Sequence, residues 1–390
     1  MKKLLFFIPL FLNAEILSDL KQQEINYDRL KSLANSREVK KSWINPIMVQ
    51  YLINKDNSQD IWTTTKQFSI TVNQPIFKSG AIYYSIKYAK KLKSYNLKQI
   101  EIQKRLLIKQ ALDLAFDYKI NELNKKVLFF QIENAKINVK RKKEAFLSGT
   151  GDSSDLDNAI LNLNDLKLSL CDLKISQNDL KYSFSTISDL DIRDVKLPVF
   201  KILKEDEFLK NHLELISKKE YKKVAFYLYK MQTGNQLLSI SLNLGYTHKS
   251  IQNDFSSAKK SYYNYGITFS VPIDINSKDK IEQKKIEFLK ASLEIKDKKR
   301  ELINSLRKTL KNIKLLSQKK KIYDENYKVY ENLIKSTKEA INAGSATYYD
   351  LEILENSKKA LVFKKRIIDL KIQKLLFNLY YLQTSFLDKM

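Results

Sequence analysis

Apolar and polar side chains alternate in two matching stretches of this chain, FSITVNQPIF at 68–77 and YGITFSVPID at 265–274. Alternation over this length puts the apolar residues on one face and reads as a β-strand. Each stretch reaches a proline, Pro75 or Pro272, which cannot donate a ladder hydrogen bond and is expected to stop the strand. Upstream of each lies a candidate partner. In LLSISLNLGYT, at 237–247, Ile240, Leu242, Leu244 and Tyr246 share one face, with Ser239, Ser241, Asn243 and Gly245 opposite. WINPIMVQYLI, at 43–53, alternates less cleanly and contains Pro46. The pattern therefore predicts strands at about 43–53, 62–75, 237–247 and 262–272, one hairpin in each half. Polar connectors NKDNSQDI (54–61) and HKSIQNDFSSAKK (248–260) join the partners.

Between the strands the rhythm changes. Glycine and proline cost most inside helices, so the gaps between them carry information. Residues 81–148, 152–197, 273–343 and 345–390 contain neither, and are rich in Leu, Ile, Lys, Glu and Asn. They read as helices. A helix over 79–147 would be roughly 100 Å long, at 1.5 Å per residue. Helices of that length have no compact body to pack around, so they are expected to bury their faces against one another as coiled coils. Leu354, Leu361, Ile368, Leu375 and Leu382 recur every seven residues, with Ile372, Leu379 and Phe386 in the other seam position. Leu163, Leu166, Leu170, Leu173, Leu180 and Phe184 follow the same three-four rhythm, interrupted by Gln177. Glycine-bearing turns fold each long helix back on a shorter one. The expected hairpins are 79–188, with its tip at 148–154, and 277–388, with its tip at 343–349.

The landmarks recur at nearly one offset. Pro75 and Pro272 stand 197 positions apart, whereas Gly149 and Gly344, like Asp155 and Asp350, stand 195 apart. The chain of 390 residues is therefore expected to be duplicated, with a first repeat over 15–197 and a second over 198–390. The opening MKKLLFFIPLFLNAE places two lysines before a short apolar run that ends near Ala14. That is the layout of a cleaved secretory signal, 1–14, and the run is too short for a bilayer that needs ~20 helical residues.

No later stretch is apolar enough for a spanning helix, but an exported chain can enter a membrane as strands of a closed barrel. The predicted strands have about the ~9–11 residues that cross an outer membrane when tilted. Trp43, Trp62, Phe68, Tyr246, Tyr262, Tyr263 and Tyr265 crowd their ends like an interfacial girdle. Four strands cannot close a barrel when the smallest bacterial ones have about eight, so several chains must share one. Three would supply twelve strands, but the strand count implies an oligomer without fixing its number. The formal net charge of +26 comes mainly from lysines spread along the chain, which read as solvated helix faces and not as a nucleic-acid footprint. Cys171 is the sole cysteine, so no intrachain disulfide is possible.

The arrangement resembles the TolC-type outer-membrane efflux proteins over the whole mature chain. What carries the resemblance is the order of parts: duplicated halves, paired strands, very long helices, and a Gly-x5-Asp-Leu turn at 149–156 and again at 344–351. The resemblance implies a mainly α fold with a small β part, assembled as a homotrimer. A twelve-stranded transmembrane β-barrel would be continued by a periplasmic α-helical barrel. It implies an outer-membrane location in a Gram-negative-type bacterium, contact with outer-membrane lipid, and no cofactor. Its partners would be a periplasmic adaptor and an inner-membrane transporter, in a tripartite efflux or type I secretion system. Small molecules or unfolded proteins would pass outward.

By the same resemblance the two turns lie at the periplasmic tip. Gly149, Ser154, Gly344 and Ser345 would meet the adaptor. Asp350 matches the family's acidic constriction residue, Ser154-Asp155 matches a Thr-Asp pair, and Tyr348 and Tyr349 stand beside the gate. Read from position alone, Asp155 and Asp350 are also residues that stabilise helix N-terminal turns. Relatives often carry an arginine two residues after the second glycine; here that residue is Ala346.

Two other classes of function fit the sequence less well. The two histidines, His212 and His248, lie far apart, and no HExxH, Walker A or GxSxG pattern occurs, so the chain does not read as an enzyme. A periplasmic coiled-coil scaffold or adaptor without a pore is the alternative, although adaptors usually carry one hairpin between β-rich domains.

Overall fold

A computed structural model of the chain describes residues 16–57, 60–253 and 255–386; the expected signal peptide, 1–14, lies outside them. The fold is mainly helical with one small antiparallel sheet. In order, the elements are α1 (Asp19–Lys41), β1 (Met48–Asp56), β2 (Thr63–Lys78), α2 (Ala81–Leu147) and α3 (Ser153–Ser185). There follow α4 (Glu205–Lys210), α5 (Leu213–Asn235), β3 (Ser239–Gln252), β4 (Ser257–Ser270), α6 (Ser277–Asn342) and α7 (Tyr348–Tyr380). Asp19 and Leu213, which open α1 and α5, stand 194 positions apart, as do Lys41 and Asn235 at their ends.

Compactness groups the chain differently from its sequence halves. One unit takes residues 26–101 and 213–300, the other residues up to 25, 102–212 and 301–390, so each draws on both halves.

The first of these holds the sheet, in order β1-β2-β3-β4 with every pair antiparallel. The ladder assigns its faces, because directly opposed residues share one. The row Val49, Ile70, Tyr246, Tyr263 runs across all four strands, and next to it lies Val72, Leu244, Tyr265. The opposite face carries Thr71, Asn73, Asn243, Asn264 and Thr268, and Asn243 donates to the Thr268 hydroxyl at 2.7 Å. The apolar face is bare in the single chain: Tyr263 and Tyr265 are 79% and 86% exposed. Beside the sheet, α5 packs on the start of α2 through Gln99–Ser217 (2.6 Å) and Tyr95–Tyr221 (5.2 Å between ring centres). The start of α6 joins through Lys218–Glu294 at 2.7 Å.

In the second unit four helices line up as α3-α2-α7-α6. Asn121 of α2 donates to Ser176 of α3 at 3.1 Å. Ile120 and Val127 of α2 form a buried cluster with Ala360 and Ile367 of α7, and Phe130 stacks on Phe363 at 6.1 Å. Lys320 of α6 reaches Asp369 of α7 at 2.6 Å. A separate aromatic core joins Phe116, Phe200, Phe377, Tyr380 and Phe386, with Phe377 and Phe386 fully buried.

Several expectations need correction. β2 does not stop at Pro75: it continues to Lys78, with a register shift between Pro75 and Phe77. A bulge tolerates the missing N–H. β3 and β4 extend through most of the segment expected as a polar connector, because ladder hydrogen bonds need no apolar side chains. β1 is displaced toward Asp56 and leaves Trp43 outside the strand. α7 ends at Tyr380, so Leu382 and Phe386 are buried from beyond the helix and not from its seam. α1 and α5 are additional helices that the apolar pattern does not announce. α1 buries Ser32 and Ser36, and the Ser36 hydroxyl donates to the carbonyl of Ala89 at 3.2 Å. Close contact through serine leaves no apolar period to read.

Candidate functional site

The two hairpin tips share one backbone construction. Gly149 and Gly344 have φ of +73° and +74°, the left-handed region that stops a helix at little cost only for glycine. At the first tip the Gly149 N–H donates to Phe146 O (3.1 Å) and the Thr150 N–H to Ala145 O (2.9 Å). At the second, Gly344 N–H donates to Ile341 O (3.0 Å) and Ser345 N–H to Ala340 O (2.9 Å). This is the Schellman arrangement, which satisfies carbonyls left over at a helix end. Thr150 and Ser345 each add a hydroxyl bond to the same carbonyls, at 3.2 and 3.1 Å.

The side chains then diverge. At the first tip Asp152 caps α3, accepting from Ser154 N–H at 3.1 Å, and Asp155 pairs with Lys142 on its own hairpin. At the second, Thr347 caps α7 through a reciprocal capping box with Asp350. The Thr347 N–H and hydroxyl donate to Asp350 Oδ2 at 3.1 and 2.7 Å. Asp350 Oδ1 accepts from the Arg141 guanidinium at 3.1 Å, reaching across to the other hairpin. The Thr347 hydroxyl and amide, with Arg141 behind them, hold the Asp350 carboxyl below its ordinary range. The Tyr349 hydroxyl donates to Glu144 at 3.1 Å, and Lys140 lies 5.2 Å from its ring centre. Tyr348 is 77% exposed.

The structure thus brings Asp350 and Tyr349 against α2, whereas Asp155 is tied within the first hairpin. Sequence reasoning missed Lys140, Arg141, Lys142 and Glu144. Their signal was legible as the run KRKKEAF, at 140–146, immediately before Gly149. Ala346 supplies no guanidinium, and the one that reaches Asp350 comes from Arg141 of α2.

The end helices of the row each leave an apolar stripe open. On α3, Leu161, Leu168, Ile175 and Tyr182 recur every seven residues and are exposed, on the side away from Leu163, Leu166 and Leu170. On α6, Leu315, Ile322 and Val329 do the same. Each α6 residue stands 195 positions after Ile120, Val127 or Asn134, the α2 residues that face α7.

Comparison with known proteins fits this architecture. Residues 206–356 match the model of the family described as Outer membrane efflux protein. The outer membrane protein VceC of Vibrio cholerae has a similar fold, with a TM-score of 0.76 at 9% identity over 94% of both chains. The Campylobacter jejuni CmeC outer membrane channel matches with a TM-score of 0.74 at 15% identity, over 95% of this chain and 85% of that one. The Neisseria gonorrhoeae MtrE outer membrane channel in its open state gives 0.65 at 11% identity, over 93% and 85%. No curated protein sequence matches. The fold is that of the TolC-type channels, as the sequence resemblance implied.

Proposed function

We propose that this chain is the outer-membrane channel of an efflux or type I secretion system, working as a homotrimer with a periplasmic adaptor and an inner-membrane transporter. The observation that carries the reading is the sheet. It is apolar and aromatic on one face, polar on the other, and unpaired at β1 and β4. An exposed sheet of that kind is an aggregation hazard in water. Closed into a barrel, its apolar face meets lipid and its polar face lines a pore. Three copies supply twelve strands.

The helical row supports the same closure independently. α2 against α7 is an occupied seam, and the open stripes of α6 and α3 occupy the equivalent positions in the duplicated pattern. The α6 stripe of one copy would meet the α3 stripe of the next, a head-to-tail contact that closes into a ring. The matched family and the channel folds add weight. In this reading the tips form the periplasmic entrance. Asp350, Tyr348, Tyr349 and Asp155 belong to the constriction, and Gly149, Ser154, Gly344 and Ser345 present the turns to the adaptor.

The test is planar-bilayer conductance of the detergent-extracted protein, with its oligomeric mass measured in parallel. A trimer with small, mostly closed channels is expected. A monomer or dimer without conductance would sink the reading and leave the chain a helical scaffold.

A further inference from the structure

The four strands carry an uneven charge. Asp56 is their only carboxylate, against Lys55, Lys66, Lys78, Lys249, Lys259 and Lys260. All of these lysines except Lys78 lie toward the end of the sheet where β1 turns into β2 and β3 into β4. The ladder sorts them by face. Lys66 and Lys259 flank Ser250 in one cross-strand row, Ile53-Lys66-Ser250-Lys259, on the apolar face. Lys55, opposite Thr64, lies on the same face one row nearer the turn. Lys249 and Lys260, opposed to each other, occupy the polar face.

Below the lysine row the apolar face changes in steps. The adjacent row is Tyr51, Phe68, His248 and Ser261, in which the His248 ring nitrogen and the Ser261 hydroxyl lie 2.8 Å apart. Next comes Val49, Ile70, Tyr246 and Tyr263, and beyond it only apolar side chains on β3 and β4 down to Ile240 and Phe269. The lysine row therefore stands ~7 Å above the aromatic-polar row, at about 3.3 Å per residue. Lys66 and Lys259 are two strands apart, ~10 Å at the usual strand spacing. Trp62, just before β2, lies under Lys55 Nζ at 5.1 Å. Hydrocarbon-facing residues, then aromatics, then cations is the order of a membrane surface.

We infer that Lys66 and Lys259, with Lys55 beside them, form a binding row for the phosphate-bearing headgroups of anionic lipid at the outer end of the barrel. The inference rests on the proposed membrane reading of the sheet. A zwitterionic surface gives these cations no net partner, and the strands offer only Asp56 to neutralise them. Two flexible ammonium groups at this spacing suit a headgroup carrying more than one phosphate.

The experiment uses the full-length oligomer in detergent, titrated with lipid A, a bisphosphorylated lipid, and separately with inorganic phosphate. Lys66→Gln with Lys259→Gln removes two of the three membrane-face charges and leaves Lys55, and Lys249→Gln with Lys260→Gln removes two from the polar face. The first pair is expected to weaken lipid A binding about tenfold or more, from the usual contribution of a lysine near an anionic surface. The second is expected to leave it unchanged. Lys66→Arg with Lys259→Arg should retain binding, and an unchanged oligomeric mass checks assembly of each variant. Equal weakening by both Gln pairs, or by neither, would overturn the inference, as would full competition by inorganic phosphate. Flotation with phosphatidylcholine vesicles separates the two layers of argument. A chain that does not float fails as a membrane protein, whereas one that floats but ignores the membrane-face lysines refutes the lipid row alone.

Discussion

The tips at 148–155 and 343–350 are the same turn built twice, with different side chains. Their glycine φ angles, +73° and +74°, agree, and their Schellman hydrogen bonds match atom for atom. What differs is where the acidic residue is committed. Asp155 is paired inside its own hairpin, whereas Asp350 closes a capping box and reaches Arg141 on the other hairpin. The comparison teaches that one backbone turn can carry two side-chain commitments, an ion pair within its own hairpin or a clasp across to the other.

The strongest way to break the comparison is at the glycines. Gly149→Val and Gly344→Val should each destabilise their tip by about 1–2 kcal/mol, the cost of a left-handed backbone for a side-chain-bearing residue. Hydrogen exchange of tip amides reads this locally. Equal effects at the two sites are expected, and a large inequality would show that the shared backbone hides a difference in packing. A smaller and unequal effect is expected from the caps. Thr347→Ala should cost about 1 kcal/mol in exchange protection at the start of α7, more than Asp152→Ala costs α3, because the former also breaks the capping box.

Smaller again is the clasp. Arg141→Gln removes an ion pair that is roughly half exposed, so its contribution to stability should stay under about 1 kcal/mol. Its effect is expected in conductance, with more frequent opening, whereas Lys142→Gln in the first hairpin should leave gating unchanged. Identical records would end the distinction between the two acids. Tyr349→Phe, which loses the Glu144 bond, is expected to act in the same direction as Arg141→Gln but less. Asp350→Asn should weaken cation preference as well; unchanged selectivity would leave Asp350 as a helix-start residue only.

The Thr347–Asp350 capping box sets a pH dependence. Asp350 has its carboxyl held below the ordinary carboxylate range in the folded chain. Its stabilising effect on α7 is therefore complete above the unfolded-state value and fades as pH falls through the folded one. Acidification below about pH 4 should loosen the start of α7. Amide exchange at 347–351 would show it, and protection unchanged by acidification would remove the Asp350 carboxylate from the cap.

Much of the molecule was legible because it is periodic. The long helices announced themselves through the absence of glycine and proline, the tips through Gly149 and Gly344, and the core of the strands through alternation. Those signals are local, and over these stretches intrinsic preference agrees with the element formed. α1 escaped because its contacts are made by Ser32 and Ser36, and the outer parts of β3 and β4 because a polar ladder has no hydrophobic period. Leu382 and Phe386 kept the seven-residue spacing of α7 yet lie past its end, so spacing alone misplaced them.

By itself, the sequence determined the duplicated order of strand, long helix, turn and shorter helix, since propensity, alternation and breakers act over a few residues. Only the tertiary structure decided that α2 lies against α7, that β2 pairs with β3 across the two halves, and that Arg141 reaches Asp350. Those partners are separated by about half the chain. Their pairing depends on which faces remain to be covered once each hairpin has closed, and no local preference encodes that.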